Sequence, residues 1–481
     1  MTAFTPQPRP CWIAGQPEQG VRDLTVQHPY DGTEIATVAV PGPEQVERAV
    51  AAAAAVAGEF RRSPAHLRAA ALDHVSRGLA ERSEELAELI TAENGKPLKW
   101  AVAEVNRAVS TFRFAAEEAR RFTGELQRLD TDPAAEGRLA MIRRVPRGPV
   151  LGISPFNFPL NLVAHKVAPA IAVGAPIVVK PAPRTPLSAL VLGELLAETD
   201  LPAGAFSVLP VGNEETVALV RDERLPVVSF TGSGPVGWSI MDAAPRKHVV
   251  LELGGNAAAV VCADWSDLDF AAKRIATFGN YQAGQSCIAV QRVLVERAVA
   301  DDFLPRLLNA VRALRTGDPH DPDVEVGPLV DEAAAERVEQ WIAEATAAGA
   351  KVLVGGGRQG STVEPTVLAN VPADAKVWTE EVFGPVLAVS TVDSVDEALT
   401  RVNDSAYGLQ AGLFTRDLRV AFRAAAELEV GGLIVGDVPS YRADQMPYGG
   451  VKGSGFGREG VRSAMADLTE ERVLVLTGID V

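Results

Sequence analysis

The feature that most restricts how this chain folds is a rhythm that starts at Pro149. A short apolar run, a Gly or Pro break and a helical stretch follow one another again and again. Pro149-Val150-Leu151-Gly152-Ile153 is the first run, broken by Pro155-Phe156-Asn157; Ile177–Lys180, Phe206–Leu209 and Pro226–Phe230 follow. Strands that alternate with helices belong to parallel sheets, because a parallel neighbour is reached only through a crossover. After Gly254-Gly255 the series begins again with Ala257–Val261, Val290–Val295 and Val386–Val389, so a second α/β domain is expected from about Gly254. Ahead of the rhythm, Pro43–Phe60, Ala65–Asn94 and Glu104–Arg121 have the spacing of amphipathic helices, and Leu139–Val145 reads as extended. At 481 residues the chain exceeds one ordinary core, and two or three domains are expected.

Apolar residues form 47% and charged residues 22% of the chain, the balance of a globular enzyme. A net charge of −16 repels nucleic acid and anionic membrane, so neither is an expected partner. No apolar run reaches the ~18 residues of a membrane span. The opening Met1–Pro6 lacks a basic segment followed by an apolar stretch, so a cytoplasmic location is expected. Cys11, Cys262 and Cys287 stand at unrelated spacings, which suits one reactive thiol better than disulfides or structural zinc. The six histidines form no ligand pattern; His165 and His248 read as structural, and no metal is expected.

Gly232-Ser233-Gly234-Pro235-Val236-Gly237 is a G-x-G-x-x-G between a strand and a helix, where free N–H groups and the helix dipole favour phosphate. Glu252 lies 20 residues after Gly232, which by itself makes it a candidate ribose ligand. Glu252-Leu253-Gly254-Gly255-Asn256 is then followed by Gly284-Gln285-Ser286-Cys287-Ile288, with Cys287 35 residues beyond Glu252. These two segments resemble the signature motifs of the aldehyde dehydrogenase superfamily. So do, in the same order, Pro155–Pro159, Val179–Ala182, Phe230–Ser233, Glu380–Pro385 and Pro447-Tyr448-Gly449-Gly450-Val451-Lys452, the last running on to Glu459. The resemblance extends from Pro29-Tyr30-Asp31-Gly32 to the C-terminus.

The resemblance implies an α/β fold in three parts. A Rossmann-like cofactor domain takes residues 1–124 and 145–253, an α/β catalytic domain 254–450, and a small β oligomerisation element 125–144 with 462–481. It implies oxidation of an aldehyde to a carboxylate with NAD or NADP. Cys287 would be the nucleophile, Glu252 the general base rather than a ribose ligand, and Asn157 with the Cys287 N–H the donors to the oxyanion. Around the cofactor it implies Ser154, Phe156, Lys180, Ala182, Pro183, Arg184, Gly232, Ser233, Glu381 and Phe383. Glu381 and Phe383 would meet the nicotinamide end, Lys180 the adenosine ribose and Ser233 the pyrophosphate. Relatives that prefer NAD often carry a glutamate three positions after the lysine; Pro183 stands there, which removes a charge that repels NADP and leaves Lys180 and Arg184 to meet its 2′-phosphate. Strand-adding oligomerisation elements imply a homodimer or a dimer of dimers.

The run Asn157–Lys166 and Tyr441–Met446 is similar to the subgroup of lactaldehyde, phosphonoacetaldehyde and non-phosphorylating glyceraldehyde phosphate dehydrogenases. A small polar or anionic aldehyde is therefore the expected substrate, with Arg113 and Arg442 as candidates to meet an anionic group. Two alternatives stand beside this reading: a CoA-acylating enzyme, which the presence of Glu252 opposes, and a silent binding or structural protein, which the joint presence of Asn157, Glu252 and Cys287 opposes.

Overall fold

The computed structural model describes residues 8–478. Residues 1–7 of the expected cofactor domain, and 479–481 of the expected oligomerisation element, lie outside the described residues.

The strand–helix rhythm builds two sheets. In the first, the strands run in the order Gly455–Phe456, His248–Glu252, Val227–Thr231, Val150–Ile153, Ile177–Lys180, Phe206–Val208, Cys11–Ile13, Gln16–Glu18. The five central strands are parallel. Chain order reverses between Val150–Ile153 and Val227–Thr231, whose neighbouring carboxyl ends leave the crevice where doubly wound sheets take ligands. The helix Asn161–Val173, buried along its whole length, makes the first crossover and ends on Gly174 in the left-handed region. Its first turn is held from outside: Leu160 and Asn161 donate their N–H groups to Glu104 Oε1 at 2.9 and 3.1 Å. Glu104 is in turn paired with the buried Lys96.

The second sheet runs Lys351–Val354, Thr366–Ala369, Val386–Val392, Arg292–Glu296, Ala258–Val261, Gln410–Phe414, Gly432–Val435, all parallel except the first pair. A third, antiparallel sheet joins Glu125–Arg128, Arg138–Pro146 and Thr469–Thr477, in a nine-residue register from Thr469↔Pro146 to Thr477↔Arg138. Its last strand begins only at Thr469, because residues 461–467 form a helix packed against Asn161–Val173.

The expected α/β class is what folds, and the differences are local. Ala65–Asn94 divides at Arg82 into Ala65–Glu81 and Ser83–Asn94, with the Arg82 side chain drawn to Glu85 and Glu194. The helix expected from Glu104 starts at Leu98, directly after Pro97, whose fixed φ suits a helix entrance. Strands at Val227–Thr231 and Arg292–Glu296 sit one or two residues later than the apolar runs that announce them.

Candidate active site

Three loops converge beneath the switch point. Asn157 stands in the loop after Val150–Ile153, Glu252 ends its strand, and Cys287 follows the short 3-10 turn Tyr281–Gly284. Together with Phe156, Gly232, Ser233, Glu381 and Phe383 they line one cavity of about 300 Å³. The turn ahead of Cys287 is strained: Gln282 (φ 41°) and Ala283 (φ 57°) are left-handed without being glycine, as is Phe383 (φ 48°) across the cavity. Such conformations cost about 1–3 kcal/mol each and persist where the surroundings force them. Here the side chain of Gln282 donates to the Gln285 carbonyl at 2.9 Å, and Asn157 Nδ2 donates to that same carbonyl at 2.9 Å. The glycine pair after Glu252 is a matter of space. A Cβ on Gly255 would come within 2.2 Å of the Cys287 carbonyl oxygen, and one on Gly254 within 2.4 Å of Glu381 Oε2.

The charges are arranged unevenly. Both carboxylate oxygens of Glu252 are buried without a hydrogen-bond partner among the described residues. Burial, then the neighbouring charge of Glu459, holds the Glu252 carboxyl well above the usual range. Glu459 goes the other way. Burial opposes its charge, but Lys166 (3.3 Å) and Arg442 (3.0 Å) overcome that and hold it below the usual range. Two adjacent carboxyls with opposite shifts are an acid–base division of labour, with Glu252 the one that takes up a proton more readily. Burial pushes the Cys287 thiol up to about 12, against a hydrogen bond from Tyr448 (2.9 Å) and the positive charge of Arg442. Burial likewise raises Glu381 to about 7, while its Oε1 accepts the Gly255 N–H at 2.9 Å.

Of the residues expected at the far end of a cofactor, Ser233 lines the cavity, whereas Ser154, Lys180, Ala182, Pro183 and Arg184 do not and lie along the carboxyl edge of the first sheet. Ser154 Oγ is buried there without a partner among the described residues. Lys180, pushed down to about 8 by burial, makes no side-chain hydrogen bond among them. The helix Gly234–Ala243 opens with no side-chain cap at Ser233, leaving first-turn N–H groups free. A buried hydroxyl, an uncommitted amine and an uncapped helix start along one edge fit a dinucleotide phosphate–ribose chain. Ala182 and Pro183 form the turn closed by Thr185 N–H to Ala182 O at 3.1 Å, and Arg184 is turned to Asp331 at 2.8 Å.

Of the two arginines expected near substrate, Arg442 lines the cavity and Arg113 does not. Arg113 lies on the outer face of its helix, paired with Glu117 and stacked on Phe114. The cavity holds two further guanidinium groups, Arg107, bound to Asp444 at 2.8 Å, and Arg337, which donates to the Val382 carbonyl at 2.9 Å. Six residues turn a helix by about 600°, so Arg107 and Arg113 face different ways. Arg107 could have been found from its spacing, three after Glu104 and four before Thr111, beside the apolar stripe of that helix. Tyr448, Tyr281 and Glu459 also line the cavity and had no separate signal. His165 is bound to the same Asp444 at 3.0 Å. Among the described residues no group of three His, Cys, Asp or Glu is placed to hold a metal, and no helix is long and apolar enough to cross a membrane.

A doubly wound sheet whose switch point opens onto a glycine-bracketed cysteine and an unpartnered glutamate is the frame of a nicotinamide-dependent oxidoreductase. Residues 14–474 match the aldehyde dehydrogenase family, and the chain belongs to it. As a member it catalyses the NAD(P)-dependent oxidation of an aldehyde. It is 42% identical over 470 residues to the 3-sulfolactaldehyde dehydrogenase of Priestia megaterium, covering 97% of each chain. Aldehyde dehydrogenase 21 of Physcomitrella patens, solved with the reaction product succinate, superimposes with a TM-score of 0.97 at 44% identity over 99% of each chain. The glyceraldehyde-3-phosphate dehydrogenase GapN of Methanocaldococcus jannaschii, solved with NADP, gives 0.91 at 34% identity over 95% of this chain and 100% of that one.

Proposed function

We propose that this enzyme oxidises a small aldehyde bearing an anionic group, through a thioester on Cys287, and that it accepts NADP. The observation that carries the substrate class is that three guanidinium groups line the cavity that also holds Cys287: Arg337, which faces Glu381, and the pair Arg107 and Arg442 left for the substrate. In a cavity of about 300 Å³ with an apolar wall of Phe156, Phe158 and Leu162, two cations serve best to fix a short charged substrate. The names of the three relatives point the same way: a sulfonate, a carboxylate product and a phosphate.

Cys287 Sγ attacks the carbonyl carbon, and the displaced electron pair settles on oxygen, where the Asn157 amide and the Cys287 N–H are the donors. A bound nicotinamide ring supplies the hydride acceptor and a positive charge that favours the thiolate. Loss of hydride leaves a thioester. Glu252 then takes a proton from water as its oxygen adds to the thioester carbon, and the Cys287 sulfur leaves with the carboxylate released. Ser154, Lys180, Ala182, Pro183 and Ser233 hold the cofactor's phosphate and ribose end, with Glu381 and Phe383 at the nicotinamide end. The apolar residues Leu126, Met141, Val473, Leu474 and Val475 are exposed on the antiparallel arm, which supports assembly into a homodimer or a dimer of dimers. Unbridged Cys11, Cys262 and Cys287 support a reducing, cytoplasmic location.

The test is a panel of aldehydes matched in length, carrying sulfonate, carboxylate, phosphate or hydroxyl, followed by NADPH formation. The anionic members should exceed the neutral one in kcat/KM by at least about tenfold, or about 1.4 kcal/mol. Equal efficiency across the panel would remove the anionic assignment, and acyl-CoA as the product with added CoA would replace hydrolysis by thiol acceptance.

A further inference from the structure

The Pro447-Tyr448-Gly449-Gly450 segment has no part in the chemistry so far, yet it brings the Tyr448 hydroxyl within 2.9 Å of Cys287 Sγ. We propose that Tyr448 is a further catalytic residue, whose hydroxyl donates to the Cys287 thiolate and holds it ready for attack. This rests on the reading of Cys287 as the nucleophile.

The geometry leaves the tyrosine little else to do. Its backbone is clamped to Glu459 by two hydrogen bonds, Tyr448 N–H to Glu459 O at 3.0 Å and Glu459 N–H to Tyr448 O at 2.7 Å. Its ring lies beneath the Arg442 guanidinium, 3.8 Å from the centroid, and Arg442 is itself fixed by Glu459. A cation on the ring face draws electron density from it and makes the hydroxyl a stronger donor. The side chain is buried, and Cys287 is the partner of its hydroxyl. While the sulfur carries its proton, either atom can be the donor; once it is a thiolate, only the phenol can be. The groups facing the thiol are Arg442, Glu252, Glu381 and the phenol of Tyr281. Both carboxylates oppose the thiolate, which leaves Arg442 and the Tyr448 hydrogen bond to favour it. Tyr448 is held well above its ordinary range, by burial and then by Cys287, so it keeps its proton and has one to donate once the thiolate forms.

Tyr448→Phe removes the hydroxyl and keeps the ring under Arg442. In the full-length enzyme, iodoacetamide alkylation of Cys287, mapped by peptide mass from about pH 6 to 10, reads the thiolate directly. The variant should alkylate about tenfold more slowly at each pH across this range, with NADP affinity and melting temperature unchanged. Overlapping profiles for Tyr448→Phe and wild type, with Cys287→Ala inactive, would overturn the role of Tyr448 alone. Full turnover in Cys287→Ala would overturn the nucleophile, and this role with it.

Discussion

Asn157 donates its side-chain amide to the carbonyl of Gln285 at 2.9 Å, tying the loop after the first parallel strand to the strained turn that carries Cys287. The same loop is held from behind. Lys96 Nζ donates to the Asn157 carbonyl at 2.9 Å, and Asn94 Nδ2 donates to that of Phe156 at 2.9 Å. An amide anchored through one hydrogen has its second free for a developing oxyanion, already in place before reaction. Asn157→Ala should lower kcat by about 10²- to 10³-fold with NADP affinity intact. A fall of less than about threefold would mean that the amide only ties loops together.

Glu252 should show itself in the timing of the reaction. With Glu252→Gln, a pre-steady-state burst of NADPH should be followed by a slow steady rate, because hydride transfer precedes the step that needs the base. Only the ionised carboxylate accepts a proton, and its protonated form persists to higher pH than usual because burial raises it. The wild-type steady rate should therefore fall on the acid side well above the ~4.3 of an ordinary glutamate, and the variant should lose that limb. Loss of the burst together with loss of cofactor affinity would restore the ribose-ligand reading of this residue.

Arg107 and Arg113 make a matched pair on one helix. Arg107→Lys should raise KM for an anionic aldehyde by about tenfold, since a point charge does not reproduce the forked contact. Arg107→Ala should also lower the melting temperature, because it takes a partner from the buried Asp444. Arg113→Ala should change neither, its ion pair with Glu117 being exposed. Comparable KM effects at both positions would show that the cavity is not where the substrate's charge lies.

The turn after Lys180 should set the cofactor ratio. NADP should be used at least as well as NAD, with Lys180 free to meet a 2′-phosphate while Arg184 is held by Asp331. Pro183→Glu should shift kcat/KM towards NAD, through repulsion of that phosphate. A wild-type preference for NAD above about 100-fold, or 2.7 kcal/mol, would sink this assignment.

The sequence made the parallel sheets legible because apolar runs, glycine breaks and helical spacing all have local causes. The residues proposed for chemistry were legible for another reason, the resemblance of their segments to the aldehyde dehydrogenase motifs, whose Gly254-Gly255 and Gly284 stand where backbone and side chains approach too closely for any Cβ. Arg107 was not, because an arginine on a long helix reveals its direction only when the buried stripe is followed residue by residue. Tyr448 was hidden by distance along the chain, since nothing in Pro447–Gly450 shows which sulfur its hydroxyl reaches. The division of charge between Glu252 and Glu459 depends on Lys166 and Arg442 arriving from separate segments, which no local pattern encodes.

The strand that ends at Glu252 is flanked on its outer side by Gly455–Phe456, paired as Leu251↔Phe456 and Glu252↔Gly455. During synthesis that flank is the last part of the sheet to leave the ribosome, long after the five parallel strands can assemble. Chain order thus supplies the five strands that frame the cofactor crevice well before the strand that covers the edge beside Glu252. Tyr448, Arg442 and Glu459 come from the same late stretch, so an incomplete polypeptide has Cys287 without the groups around it. A chain cut before Arg442 would keep Asn157, Glu252 and Cys287 and lose all three of those neighbours at once.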